Sequence, residues 1–379
     1  MNILIAADIF PPQFGGPATY SVTIANELTK KGENVKIVSL NPDSDKKVVI
    51  CKIDIVKNKN KFLKYFEYIF LLIKNAIKSD VIYAMGPVNA GFPAMIASKL
   101  TGKKLVVKVV GDYAWEQGVQ RFGVKDSIDI FQTKNNYSFM VRLLKWIQKI
   151  VVKNSSIVIV PSFYLKNIVV GWGVSENSVV VVYNSSSYVG VCPVEKAEEE
   201  KWIISAGRLV PWKGMLELIE IMPEILKEQK NAKLKIYGNG PDLKFLKNKV
   251  IELKLEGVVE IPGQLSRKEL MCKINKADCF VLNSGYEGLS HLILEALHVN
   301  TPVLASRAGG NSELVIPGKN GDLFELNNKE DIKNKILNLL NGEMNLEWSD
   351  QEKDIFFEKF SLKSMVDSTS SILKKICQN

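Results

Sequence analysis

In the stretch Tyr286-Glu-Gly-Leu-Ser-His-Leu-Ile-Leu-Glu-Ala-Leu297 two carboxylates, Glu287 and Glu295, stand in an otherwise apolar run with seven residues between them. The segment follows the strand-like "DCFVLNS", so residues 286–289 read as a loop and a helix begins near Ser290, whose hydroxyl suits an N-cap. Over eight residues a helix rises ~12 Å and turns on by about 80°. The two carboxylates therefore cannot share one ligand atom, but they could hold the two ends of a long ligand. A nucleotide sugar has that shape: a hexose, a diphosphate to sit over the helix N-terminus, and a ribose whose vicinal hydroxyls suit a carboxylate. A turn cap at Glu287 and a partly buried ion pair at Glu295 fit the same residues. Glu295, flanked by Leu294, Ala296 and Leu297, needs a partner on either reading.

Two further stretches could meet a phosphate. In "DIFPPQFGGPATYSVTIANEL" Gly15-Gly16 permits close backbone approach and Pro17 suits a first helical turn, which presents bare amides at a helix N-terminus. A tight strand-to-helix turn fits as well. In "ISAGRLVPWKGMLELIE" Arg208 and Lys213 follow a strand end by two and seven residues. Such a pair can clamp a diphosphate, Arg as a fork and Lys as a point charge, although exposed loop cations are usually only solvated. "DSD" at Asp43–Asp45 has the form of a metal-binding DxD, but it falls in a charged loop and reads as solvent-facing.

The elements that must position these residues alternate short apolar β-branched runs with helix-length amphipathic stretches, the pattern of parallel sheets covered on both faces. Strands are expected at 2–7, 34–40, 48–53, 81–85, 104–110, 157–161 and 179–183, then at 201–206, 233–237, 258–262, 279–282, 302–305 and 321–325. Between the two sets "NSSSYVGVCPVEKAEEE" (184–200) reads as a linker. A chain of 379 residues exceeds what one core usually supports, so two domains are expected. Neither half has G-x-G-x-x-G after its first strand, which removes the main support for a dinucleotide site. The five cysteines show no zinc spacing and read as reduced core residues.

Charge is uneven. Residues 1–190 carry 24 Lys and Arg against 13 Asp and Glu, net +11, and residues 191–379 carry 26 against 28, net −2. An anionic partner should therefore meet the first half. No nucleic-acid signature accompanies the charge. "FMVRLLKWIQKIVVK" sets Arg142, Lys145, Lys149 and Lys153 on one helical stripe opposite Leu143, Leu144, Ile147 and Ile150, and "KFLKYFEYIFLLIKNAIK" is similarly one-sided. Such helices can lie on anionic lipid, and a core helix with a solvated face explains them too. The longest uncharged runs, 81–98 and 177–194, are broken by Gly, Pro, Asn or Ser, so none reads as a membrane span. The N-terminus lacks a signal peptide's basic start. The expected location is the cytoplasm, with peripheral attachment at the inner membrane face.

Gly15-Gly16, Arg208, Lys213, the Glu287–Glu295 pair and the tail "PVLASRAGGNSELVIPGKNGDLFEL" (302–326) occur in that order. With them the chain resembles the family 4 retaining glycosyltransferases of the GT-B fold. The resemblance implies an α/β architecture of two Rossmann-like doubly wound domains facing across a deep cleft. The acceptor-side domain would span 1–188 and the nucleotide-sugar domain 189–358, with a C-terminal helix in 359–379 packing back on the first. It implies transfer of a hexose from a nucleoside-diphosphate sugar, with retained configuration and without a metal or separate cofactor, to a lipid-linked or glycan acceptor of surface polysaccharide or glycolipid synthesis. Arg208, Lys213 and Glu287 match catalytic positions, the cations on the departing diphosphate and Glu287 on the donor hexose. Gly15, Gly16, Gly207, Gly238, Gln264, Ser290, His291, Leu292 and Glu295 match donor-binding ones, Glu295 at the ribose. Many relatives carry a His after the fifth strand, where this chain has "VKVVGDYAWEQG" and its only histidines are His291 and His298. Asp112 is expected to take that place and orient the acceptor hydroxyl or donor sugar, with a turn-forming Asp as the alternative. A nucleotide-sugar epimerase on the same scaffold would need no acceptor, and a binding-only protein would show no turnover.

Overall fold

The computed structural model describes residues 1–379 except 14, 61, 187–189, 191–194, 196, 198 and 379. The chain divides into two compact units, Met1–Ser185 with Leu362–Asn379, and Ser186–Ser361. The boundary expected at 188/189 lies outside the described residues, as does Cys192.

The first unit holds strands β1 (Asn2–Ala7), β2 (Asn34–Ser39), β3 (Lys52–Ile55), β4 (Val81–Met85), β5 (Lys104–Lys108), β6 (Ile157–Val160) and β7 (Val179–Val181). They form one all-parallel sheet in the order β3-β2-β1-β4-β5-β6-β7. The second unit holds β8 (Lys201–Ala206), β9 (Ala232–Tyr237), β10 (Val259–Gly263), β11 (Cys279–Leu282), β12 (Val303–Ser306) and β13 (Gly321–Phe324) in the parallel order β10-β9-β8-β11-β12-β13. Every residue of β4, β11 and β12 is buried, which follows from helices covering both faces of each sheet. The strand order reverses beside β1 and again beside β8. At such reversals loops leave in opposite directions, and a crevice opens at the carboxyl ends of the strands.

Helices of the first unit are α1 (Gly16–Lys30), α2 (Leu63–Ala76), α3 (Gly91–Thr101), α4 (Tyr113–Arg121), α5 (Ile128–Thr133), α6 (Phe139–Lys153) and α7 (Phe163–Gly171). The C-terminal helix Leu362–Gln378 joins them, placing Met365, Val366 and Leu373 in one core with Ile3, Ile24 and Leu28. Its Lys374 pairs with Glu33 at 2.9 Å, and Glu33 also holds the N-terminal amine at 3.0 Å.

Three expectations are corrected. The third strand is not at 48–53: Lys46–Val48 forms a 3-10 turn capped by Asp45, and Asn26 on α1 bonds the Val48 carbonyl and the Ile50 N–H. With those backbone groups taken by α1, pairing with β2 begins only at Lys52. The basic stripe on α6 is incomplete, because Lys145 is buried and donates to the Phe131 and Lys134 carbonyls, both at 2.7 Å. Those carbonyls end α5, where the helix dipole favours a cation that a long aliphatic stem can deliver. The cysteines are not all reduced, since Cys51 and Cys377 are free thiols and Cys272 is disulfide-bonded.

Lys108 ends β5 at 1% exposure, its ammonium donating to the Val182 carbonyl at 3.1 Å and lying 4.8 Å from the centre of the Tyr20 ring. No carboxylate pairs with it among the described residues, and burial lowers its pKa from 10.5 to about 7. Between those values the unfolded chain binds a proton that the folded chain does not, so the Lys108 contribution to stability rises with pH across that window. Below about pH 7 the full penalty applies. Lys108→Met is expected to stabilise the first unit at neutral pH and to flatten the rise in stability between pH 7 and 10, measured as the difference between wild-type and variant urea midpoints.

Candidate active site

In the second unit the loops after four neighbouring strands interlock. Past β8, Gly207 donates to the Tyr237 carbonyl and Leu209 to that of Asn239, each at 2.9 Å. A Cβ at Gly238 would lie 1.8 Å from the Gly207 oxygen, and φ there is +150°, so only glycine lets these loops touch. Past β11, Gly285 donates to the Trp212 carbonyl at 2.7 Å, and Asn283 donates to the Gly214 carbonyl at 3.3 Å. Past β12, Gly310 donates to the Glu287 carbonyl at 2.8 Å, and a Cβ at Gly309 would meet that oxygen at 2.2 Å.

This interlock brings together side chains far apart in sequence. Lys213, on the 3-10 turn Pro211–Lys213, forms an ion pair with Glu287, both side chains being mostly buried. Ser290 caps the helix His291–His298, its Oγ accepting from the Ile293 N–H at 3.4 Å, and His291 and Leu292 lie half-buried in the first turn. Glu295, 7% exposed on that helix, accepts from Arg267 Nε at 2.7 Å through Oε1. Burial pushes the Glu295 carboxyl above its ordinary range and the Arg267 guanidinium pulls it back. Arg208 is exposed and has no ion pair among the described residues, and Gln264, after β10, is exposed as well.

In the first unit Gly15 and Gly16 open α1 as exposed residues with space around them, and Pro17 stands in the first turn. Asp112 requires a correction. It is wholly buried and caps α4: Oδ1 accepts from the Trp115 N–H at 2.9 Å and from Gln148 at 3.0 Å, and Oδ2 from Gln132 at 2.8 Å. A helix begins directly after it, so its carboxylate serves the bare amides and ties α4 to α5 and α6. It meets no solvent. Asp43 is an exposed partner of Lys59 at 3.2 Å and Asp45 caps the 3-10 turn, so the two do not converge.

Several residues escaped the sequence reading. Arg267 opens another helix 28 positions before Glu295, and no local pattern links them. Asn283 and Gly309-Gly310 follow strand ends, which is a usable signal. So does Asp8, directly after β1 at the reversal of strand order. Burial pushes the Asp8 carboxyl up, against a hydrogen bond with Asn89. Asn89 in turn donates to Tyr113 OH at 3.0 Å and accepts from Tyr65 OH at 3.1 Å.

The family described as Glycosyl transferases group 1 matches residues 193–354, and Glycosyltransferase Family 4 matches residues 14–185. The chain belongs to the family 4 glycosyltransferases. An uncharacterized glycosyltransferase of Methanocaldococcus jannaschii is 27% identical over 391 residues, covering 99% of each chain. Among solved structures, Anabaena HepE in complex with UDP superposes with a TM-score of 0.77 at 19% identity, covering 99% of this transferase and 100% of that chain. The lipopolysaccharide outer core galactosyltransferase WaaB superposes with a TM-score of 0.74 at 19% identity, covering 98% and 99%. The two doubly wound units are those of the GT-B fold. No helix among the described residues is long and apolar enough to cross a membrane.

Glycosyl transfer leaves new negative charge on the departing group, and preorganised cations act on that developing charge. Removing one such donor typically costs ~3–4 kcal/mol of barrier. Arg208→Ala or Lys213→Ala is accordingly expected to lower the transferase's kcat about a hundredfold or more, and near-normal turnover at saturating donor would remove both from the site.

Proposed function

We propose that this transferase moves a hexose from a nucleoside-diphosphate sugar to a lipid-linked or glycan acceptor in surface polysaccharide or glycolipid synthesis, retaining the anomeric configuration and using no bound metal. The observation that carries this reading is the Lys213–Glu287 pair held beside the capped start of the helix His291–His298. A diphosphate fits over those helix amides with Arg208 and Lys213 as counter-charge. Glu287 then accepts hydroxyls of the hexose. Glu295, whose bond to Arg267 uses Oε1, takes the ribose hydroxyls. The two cations supply the charge that a metal would otherwise bring.

In the reaction the bond from the anomeric carbon to the phosphate oxygen breaks and a bond to the acceptor oxygen forms on the same face. The acceptor's proton passes to the leaving diphosphate. A double displacement would instead need a carboxylate nucleophile beneath the anomeric carbon. WaaB is a lipopolysaccharide outer core galactosyltransferase, which supports a glycolipid or glycan acceptor here. Asp8 and Asn89, at the strand-order reversal of the first unit, take the acceptor role once expected of Asp112.

Calorimetric titration with uridine, guanosine and adenosine diphosphate hexoses is expected to find one tight donor, bound equally with chelator present. Magnetic resonance of the product should show the donor's own anomeric configuration. An inverted product, a trapped glycosyl adduct or loss of activity on chelation would each overturn part of this reading. Asp8→Asn is expected to raise the acceptor KM while leaving donor affinity unchanged, and an unaltered acceptor KM would remove Asp8 from the acceptor site.

A further inference from the structure

Helix α2 is apolar on two faces. Its inner arc, with Tyr68, Leu72 and Ala76 fully buried, packs on α3, β1 and β2. The outer arc of a helix covering a sheet should be polar. Here Phe62 at the N-cap is 79% exposed, Phe66 72% and Phe70 64%, with Ile77 just past the last turn at 63%. At the helical repeat these four side chains fall within an arc of about 80°, in a stripe roughly 22 Å long. An exposed apolar stripe of that kind marks an interface.

The charges beside the stripe say what covers it. Residues 57–78 carry six lysines and one carboxylate, Glu67. Glu67 accepts from the Lys57 and Asn58 N–H groups at 3.0 and 2.9 Å, so its oxygens face the loop backbone. Lys57, Lys74 and Lys78 are exposed, and Lys59 is exposed beside Asp43. A second copy of this chain docked on the same face would set lysines against lysines. An anionic bilayer answers both halves of the surface, with acyl chains for the aromatics and headgroups for the lysines.

We propose that the outer face of α2 docks on an anionic bilayer surface. The phenylalanines enter the boundary between headgroups and acyl chains, and the lysines stay among the headgroups. The same helix carries Tyr65, whose hydroxyl donates to Asn89, so docking sets the Asp8–Asn89 group beside the lipid surface. The acceptor is then a hydroxyl on a membrane-borne lipid. This last step rests on the proposed transferase reading, and the docking itself does not.

The test is sedimentation of the full chain with phosphatidylcholine vesicles, with and without phosphatidylglycerol. Wild type should sediment with the anionic vesicles at low salt and release as salt rises. The pair Phe66→Gln and Phe70→Gln, both at exposed positions, should bind about tenfold or more weakly with an unchanged circular dichroism spectrum. Lys74→Glu with Lys78→Glu tests the charge independently and should also lose binding. Wild type left in the supernatant at low salt would overturn the proposal. So would a wild-type dimer in solution that the phenylalanine substitutions dissociate, since the face would then belong to a second copy. Donor calorimetry on the same samples separates the two readings: vesicle binding without donor binding would sink the transferase reading and leave the docking intact.

Discussion

A parallel sheet covered on both faces leaves no solvated position in its innermost strands, and that constraint sends polar side chains to the strand ends. β4, β11 and β12 are buried throughout, so a polar side chain inside such a strand either finds a partner or is penalised. Lys108 illustrates the penalty, since its pKa falls to about 7 where it meets a carbonyl and a tyrosine ring and no carboxylate among the described residues. Every other group assigned a role stands past a strand end: Arg208 and Lys213 after β8, Gly238 after β9, Glu287 after β11, Asp8 after β1. The reversal of strand order beside β1 and β8 keeps the loops there from covering one another.

The two acidic residues after β11, one on the loop and one on the helix His291–His298, solve the same problem from different elements. Glu287 faces Lys213 on a neighbouring loop and Glu295 faces Arg267 on a neighbouring helix. A fully exposed ion pair contributes little, while a buried carboxylate stripped of its partner is expensive. Both carboxylates are largely buried, and what separates them is the element that carries each. Lys213 and Glu287 sit on loops, where a ligand can exchange for one partner, and Glu295 is fixed in a buried helical turn whose Oε1 is already engaged.

Family membership was legible because it rests on order and spacing along the chain: Gly15-Gly16, Arg208, Lys213, the Glu287–Glu295 pair and the Pro302–Leu326 tail. Strands were legible for the same reason, since burial on both faces writes itself as continuous apolar runs, and four of the thirteen lie at the expected limits. The third strand was not, because "VVICKI" is as apolar as a strand, and what ends it is Asn26, more than 20 residues away, holding the backbone at Val48 and Ile50. α6 shows the converse. Its cations recur at helical spacing, yet Lys145 turns inward because α5 ends within reach of it.

By itself the sequence determined two α/β units, the helix start at Ser290, and which residue types follow the strand ends of the second unit, since each depends on neighbours within a turn or a strand. Only the tertiary structure decided which carboxylate meets which cation, that Gln132 and Gln148 close over Asp112, that Asp8 and Asn89 share a strand-order reversal, and that α2 shows phenylalanine outward. Those are properties of contact between segments tens of residues apart. A side chain's partner and its exposure are set by where the rest of the fold arrives, and no spacing within one segment encodes that.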